Sequence, residues 1–167
     1  MPTRRALTLA ALTTPWLAAC GFQLRQAPDF AFKTIVLAMP ANSSLTVELR
    51  RQLEGTGRLT VLAPGAAGAD KADVVLQSAG ERRERTVVSV TAAGEVREFQ
   101  LRIRFSFSLR TPDGRELLPA SEILRQIDQS YSESAALSKE QEALMLYQSM
   151  QSDIVQQVMR RLATIKL

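Results

Sequence analysis

The pattern that most restricts the fold is a strict alternation, in which Phe99, Leu101, Ile103, Phe105, Phe107 and Leu109 interleave with Gln100, Arg102, Arg104, Ser106, Ser108 and Arg110. Successive side chains of a β-strand point to opposite faces, so a dozen residues of period two predict one long strand with an apolar and a polar face. Its surroundings predict its partners. Ala93-Gly94 lies just before it, where a tight hairpin turn wants a residue able to take positive φ. Asp73-Val74-Val75-Leu76-Gln77 opens an extended segment that runs on through Val90, and this is the expected antiparallel neighbour. On the other side Thr111-Pro112-Asp113-Gly114 is turn chemistry, and Glu122 to Tyr131 supplies a further strand with Ile123 and Ile127 on one side. The three form a meander.

Two helices frame this ribbon. Thr34 to Ala38 is a continuous apolar run closed by Pro40 and reads as a buried strand. Asn42, Ser43 and Ser44 then offer capping oxygens before Leu45, Val47, Leu49 and Leu53, with Arg50-Arg51 near the end and Gly55 just beyond. Leu59 to Leu62 can form a short extended piece. Near the C-terminus, Ser138-Lys139-Glu140-Gln141 has the capping-box form, and Leu144, Tyr147, Ile154, Val158, Leu162 and Ile165 follow at helical spacing. One apolar stripe per helix and one apolar sheet face are most economically buried against each other. The expected fold is an α+β two-layer sandwich, two helices on one face of a four-stranded mixed sheet, in the order β-α-β-β-β-α.

Residues 1–19 read instead as a secretion signal. Arg4-Arg5 is followed by an apolar stretch from Ala6 to Trp16, broken only by Thr8, Thr13, Thr14 and Pro15, and then by Leu17-Ala18-Ala19-Cys20. The apolar run is too short to span a bilayer permanently. Leu-Ala-Ala-Cys resembles the lipobox of bacterial lipoproteins, which implies cleavage before Cys20, a diacylglyceryl group on its thiol and an acyl chain such as palmitate on the new amino terminus. Several buried chains anchor far more firmly than one. Gly21, rather than Asp, follows the cysteine, which by the sorting rule of enteric bacteria is an outer-membrane address. Residues 20–32 are then a lipidated tether and 33–167 a single domain facing the periplasm. Cys20 is the only cysteine, so lipidation leaves no thiol for a disulfide and the domain must be held by its core.

The residue types exclude much chemistry. There is no histidine, no cluster with metal-ligand spacing and no Gly-rich phosphate loop between a strand and a helix, so neither a cofactor nor an enzyme is expected. Asp70 with Asp73 and Glu81 with Glu84 read as solvated charge rather than catalytic pairs. Removing Arg4 and Arg5 leaves 19 basic against 17 acidic side chains, so placement matters more than total charge.

That placement is uneven: Arg82, Arg83, Arg85, Arg97, Arg102, Arg104 and Arg110 all lie on the central hairpin. A two-residue turn at Ala93-Gly94 would set Arg85 against Arg102 and Arg83 against Arg104 on the face opposite Leu101. Opposed like charges are unfavourable, so such a face predicts an acidic ligand or partner. The plain alternative is a polar face relieved by Glu81, Glu84, Glu95 and Glu98. Nucleic acid is a poor candidate for the acidic group, because the chain is exported and its basic strip has no interleaved exposed aromatics.

Cys20-Gly21-Phe22-Gln23-Leu24-Arg25, the segment from Ser89-Val90 to Gly94 followed by Glu98-Phe99-Gln100-Leu101, Pro119 at the start of the last strand, and Ala136-Leu137-Ser138-Lys139 together resemble the LptE family of outer-membrane lipoproteins. The resemblance implies two helices on a four-stranded sheet and a non-enzymatic protein. It also implies a plug inside the LptD β-barrel, in a one-to-one complex, that helps that barrel assemble and binds lipopolysaccharide in transit. Basic residues at the hairpin tip and before the last helix are implicated in lipopolysaccharide contact; Lys139 matches the second, while Ala92-Ala93-Gly94 lacks the first. Arg97, with Arg83, Arg85, Arg102 and Arg104, is the expected substitute. The rival reading is a free-standing outer-membrane lipoprotein that binds an anionic envelope ligand on its arginine-rich sheet face.

Overall fold

A computed structural model describes residues 28–167, so the signal segment, Cys20 and the motif from Gly21 to Arg25 lie outside the described residues. The elements are β1 (Thr34–Ala38), α1 (Ser44–Glu54), β2 (Thr60–Leu62), β3 (Val74–Gln77), β4 (Glu81–Val90), β5 (Val96–Arg110), β6 (Glu116–Ser130) and α2 (Ala136–Ala163). The architecture is the expected α+β sandwich, with both helices on one face of a mixed sheet. The strands number six rather than four. Thr60–Leu62 adds to the outer edge of β1 in parallel, and β3 joins the other edge of β1 in parallel. The segment expected to run unbroken from Asp73 to Val90 is two strands, β3 and β4, placed one after the other along the same edge of β5. β6 pairs along the opposite edge of β5.

The break between β3 and β4 has a local cause. Ser78 Oγ donates to Ser106 O at 2.7 Å and accepts from Gly80 N at 3.0 Å, taking the place of ladder bonds. Gly80 adopts φ +103°, where a Cβ would also meet the Pro40 ring at 3.5 Å. The positive φ is what favours glycine there, since contact with the Pro40 ring at that distance is ordinary.

The core follows from β5. Leu101, Ile103, Phe105, Phe107 and Leu109 are all buried, together with Ile35, Leu37 and Leu76 of the neighbouring strands. From above they meet Leu45, Leu49 and Leu53 of α1 and Met150, Ile154, Val158 and Leu162 of α2. Each such side chain contributes roughly 1.5–3 kcal/mol by leaving water. Asp73 fastens the start of β1 to the start of β3: its carboxylate accepts from Lys33 N (2.8 Å), Thr34 N (2.9 Å) and Thr34 Oγ1 (2.9 Å). These bonds, led by the one from Lys33, hold its pKa below the ordinary carboxylate value.

Both helix starts were anticipated, one of them inaccurately. Ser43 caps α1, its Oγ accepting from Thr46 N at 3.2 Å. The capping box at Ser138 does not form: a 3-10 turn over Glu133–Ala135 leads into α2 three residues earlier, Ala135 supplies no side-chain cap, and Ser138 Oγ bonds Ala135 O instead. Leu144, expected on the buried stripe of α2, is exposed, because the first turns of that helix overhang the polar end of the ribbon rather than the core.

Candidate functional site

The register of the β4–β5 hairpin decides which arginines meet. Thr91 N donates to Glu95 O at 2.7 Å and Gly94 N to Thr91 O at 3.0 Å, with Gly94 at φ +84°. The loop therefore has three residues, Ala92, Ala93 and Gly94, instead of two, and apart from Ser89 opposite Glu98 at a bulge every pairing shifts by one. Arg85 lies opposite Leu101 and Arg83 opposite Ile103, both on the helix-covered side. Arg102 faces Glu84, and Arg104 faces Arg82, on the open side. The expected opposition of Arg85 with Arg102 and of Arg83 with Arg104 does not occur.

On the open face the charges largely answer each other. Arg104 reaches Glu122 at 3.3 Å and Glu84 at 3.7 Å. Arg102 Nε donates to Gln100 Oε1 at 2.7 Å, and Gln100 Nε2 donates to Asp128 at 2.8 Å. Arg82 against Arg104 is the one like-charge pair between directly facing residues of β4 and β5. This face is polar and mixed, but it is relieved by Glu84, Glu122 and, through Gln100, Asp128, while Glu81 of the plain alternative lies on the helix side; the expected arginine opposition is absent.

Arg83 enters a polar seam between the helices. Its Nη2 donates to Gln151 Oε1 (2.8 Å) and Ser44 Oγ (2.9 Å), and its guanidinium lies 5.6 Å from the Tyr147 ring centre. Gln151 Nε2 donates onward to Glu48 at 2.7 Å, and Ser43 donates to Glu81 at 2.8 Å. Tyr147 donates its hydroxyl to Glu84 O at 2.7 Å, capping a carbonyl on the outer edge of β4, and burial raises its pKa.

Arg85, Lys139 and the first turns of α2 come together at the far end of the ribbon. The Arg85 guanidinium sits over the Phe99 ring at 3.8 Å and near Tyr131 at 5.8 Å, and Tyr131 meets Phe99 edge-on at 5.0 Å. Arg85 Nη1 donates to Glu140 Oε1 at 2.5 Å. Gln129, facing Phe99 across β5 and β6, donates to Lys139 O at 2.8 Å. Lys139 is half-buried and engaged, its Nζ bonding Glu142 at 2.8 Å and Ser130 at 3.2 Å. Arg97 is exposed beside a groove of about 370 Å³ between the hairpin loop and residues 131–134.

Of the six basic residues expected at a binding site, the structure groups Arg85 and Lys139, sets Arg97 at the neighbouring tip, and sends Arg83 into the seam and Arg102 with Arg104 to the open face. Sequence reasoning missed Gln129, Tyr131 and Glu140. Gln129 was detectable, since it continues the inward series Ile123, Arg125, Ile127 with a polar residue. Among the described residues no group of carboxylates could hold a metal ion, and no helix is long and apolar enough to cross a membrane.

These features define a two-layer α+β domain with an arginine held on an aromatic platform under an overhanging helix. Residues 32–162 match the family described as LptE: Lipopolysaccharide-assembly, and the chain belongs to that family. Among solved structures it is similar to an uncharacterized lipoprotein B from Nitrosomonas europaea, at 30% identity and TM-score 0.71 over 86% of this chain and 90% of that one. It shares its fold with the rare lipoprotein B from Shewanella oneidensis, at 22% identity and TM-score 0.66 over 79% of this chain and 95% of that one. The same fold occurs in a minor lipoprotein from Acinetobacter baumannii, at 17% identity and TM-score 0.62 over 81% and 93% of the two chains. No curated protein matches.

Proposed function

We propose that this protein is a lipid-anchored subunit of the outer membrane that plugs and helps assemble an LptD-like β-barrel and takes part in lipopolysaccharide transport. The observation that carries the reading is the family match across residues 32–162, which takes in nearly all of the folded domain. The lipobox ending at Cys20 supports anchoring on the periplasmic side of the outer membrane. In this reading the protein acts by binding, which the engagement of Arg83 in the helix seam and of Arg85 on its aromatic platform supports.

A barrel lumen also suits the surface. Val87, Val88 and Val90 on β4 and Leu137, Leu144 and Met145 on α2 are exposed at the same end as Arg85, an apolar fringe that contact with a partner would cover. Mild detergent extraction of the lipidated protein, followed by mass spectrometry, tests the reading. A large β-barrel protein in one-to-one ratio is expected. Recovery of the lipoprotein alone from an intact preparation would overturn it.

A further inference from the structure

Three buried side-chain polar atoms have no hydrogen-bond partner among the described residues, and all three belong to the joint of β4 and β6 with α2: Arg85 Nε, Arg85 Nη2 and Gln129 Oε1. Elsewhere buried polar side chains are satisfied, as the seam around the nearly buried Gln151 shows. An unmade bond to a charged donor is costly, so a concentration of them at one place calls for an explanation.

The guanidinium at this joint is only half used. Its Nη1 is taken by Glu140, while Nε and Nη2 form the side-on edge, two parallel N–H groups spaced for two oxygens of one phosphate or carboxylate. Phe99 and Tyr131 hold the plane of the group, which removes most of the rotamer freedom that binding would otherwise have to freeze. Glu140, which occupies the other edge, is itself more than half exposed on the helix surface. The start of α2 beside it has no side-chain cap, so its first N–H groups lack a side-chain acceptor and its first turn opens more easily than a capped one. Lys139 adds an ammonium on the same turn.

We propose that the Arg85 side-on edge is a phosphate site, gated by Glu140: the phosphate bonds Nε and Nη2, and Glu140 with the first turn of α2 moves aside to admit it. This deepens the lipopolysaccharide-binding reading and rests on it, since the phosphates of that lipid are the ligand it anticipates. The same chemistry would accept a free phosphate or one on a lipid headgroup.

The test is calorimetric titration of the full lipidated protein in detergent with three probes: inorganic phosphate, mixed micelles carrying phosphatidic acid, and phosphatidylcholine micelles. Tyrosine emission is a second readout, because both tyrosines, Tyr131 and Tyr147, stand beside the joint. Saturable binding of phosphatidic acid, but not phosphatidylcholine, is expected; saturation by inorganic phosphate as well would identify a site for phosphate itself, and its absence a headgroup site. Arg85→Lys keeps the charge and removes the fork, and should weaken binding about tenfold. Glu140→Gln removes the competing carboxylate and should tighten it.

Binding by Arg85→Lys within about twofold of the parent, with circular dichroism unchanged, would overturn the proposal. Weaker binding by Glu140→Gln would do so independently, and covers the case in which Arg85→Lys fails to fold. Lipopolysaccharide itself separates the two levels: undiminished binding by Arg85→Lys sinks this site and leaves the broader function standing. A parent that ignores lipopolysaccharide yet holds phosphatidic acid through Arg85 supports the site and strikes the function.

Discussion

The two ends of the β5 ribbon are built on opposite principles. At the base, where β1, β3 and β5 lie under α1 and the C-terminal half of α2, Ile35, Leu76, Phe105, Leu109, Ile154 and Val158 are shut from solvent and make one apolar core. At the tip, the same sheet face carries Arg83, Arg85 and Gln129, the overhanging turns of α2 are uncapped, and valines and leucines stand exposed. One strand serves both ends without interruption. The contrast teaches that stability and recognition are separated along the ribbon, so the tip can be altered with little cost to the fold.

Substitutions at the two ends should therefore differ most in size. Phe105→Ala opens a cavity at a site with no exposure and should cost about 3–5 kcal/mol in urea unfolding, without a change in slope. A loss below about 1 kcal/mol would mean that the base is not the stabilising end. Breaking the clamp at the base comes next. Asp73→Ala removes three bonds to a carboxylate and should cost roughly 1–2 kcal/mol near neutral pH.

The pH dependence of that clamp has a definite sign. The folded-state pKa of Asp73 is lowered, so its contribution is fully present above the ordinary value of 3.8 and is lost as pH falls through the lowered one. The stability gap between parent and Asp73→Ala should thus narrow on acidification and stay flat at higher pH. A gap that persisted at low pH would place the effect in lost packing rather than charge.

The smallest stability effects should come from the tip. Leu144→Ser, at a site 61% exposed, should shift stability by less than about 0.5 kcal/mol yet reduce recovery of a barrel partner in the detergent extraction. Unchanged recovery with Leu144→Ser and Val88→Ser together would remove the apolar fringe from the proposed interface. Substituting Arg102 and Arg104 with Ser should leave phosphate binding intact, since both side chains lie on the open face away from Arg85. A loss there would return the binding site to that face.

Much of the base was legible because its signals are local. The alternation from Phe99 to Leu109 implies a strand whatever it pairs with, and Ser43 caps its helix through a bond only three residues long. Glycine before each long strand was equally readable, since Gly94 and Gly114 take the positive φ that their turns require. The tip resisted because its arrangement depends on contacts distant in sequence. Nothing near Arg85 announces Glu140, which is 55 residues away and reaches it only once α2 has crossed the sheet.

The sequence by itself determined both helices, the long strands and the need for a two-layer core, though not the division of the segment before Val90 into two strands, because backbone periodicity and turn chemistry act over a few residues. Only the tertiary structure decided the faces of the arginines. A loop of three residues rather than two, and the bonds of Ser78 to Ser106, are settled by competition among long-range pairings. In a strand of period two, a shift of one residue is enough to carry Arg83 and Arg85 from the open face to the helix-covered one, where the joint with α2 is made.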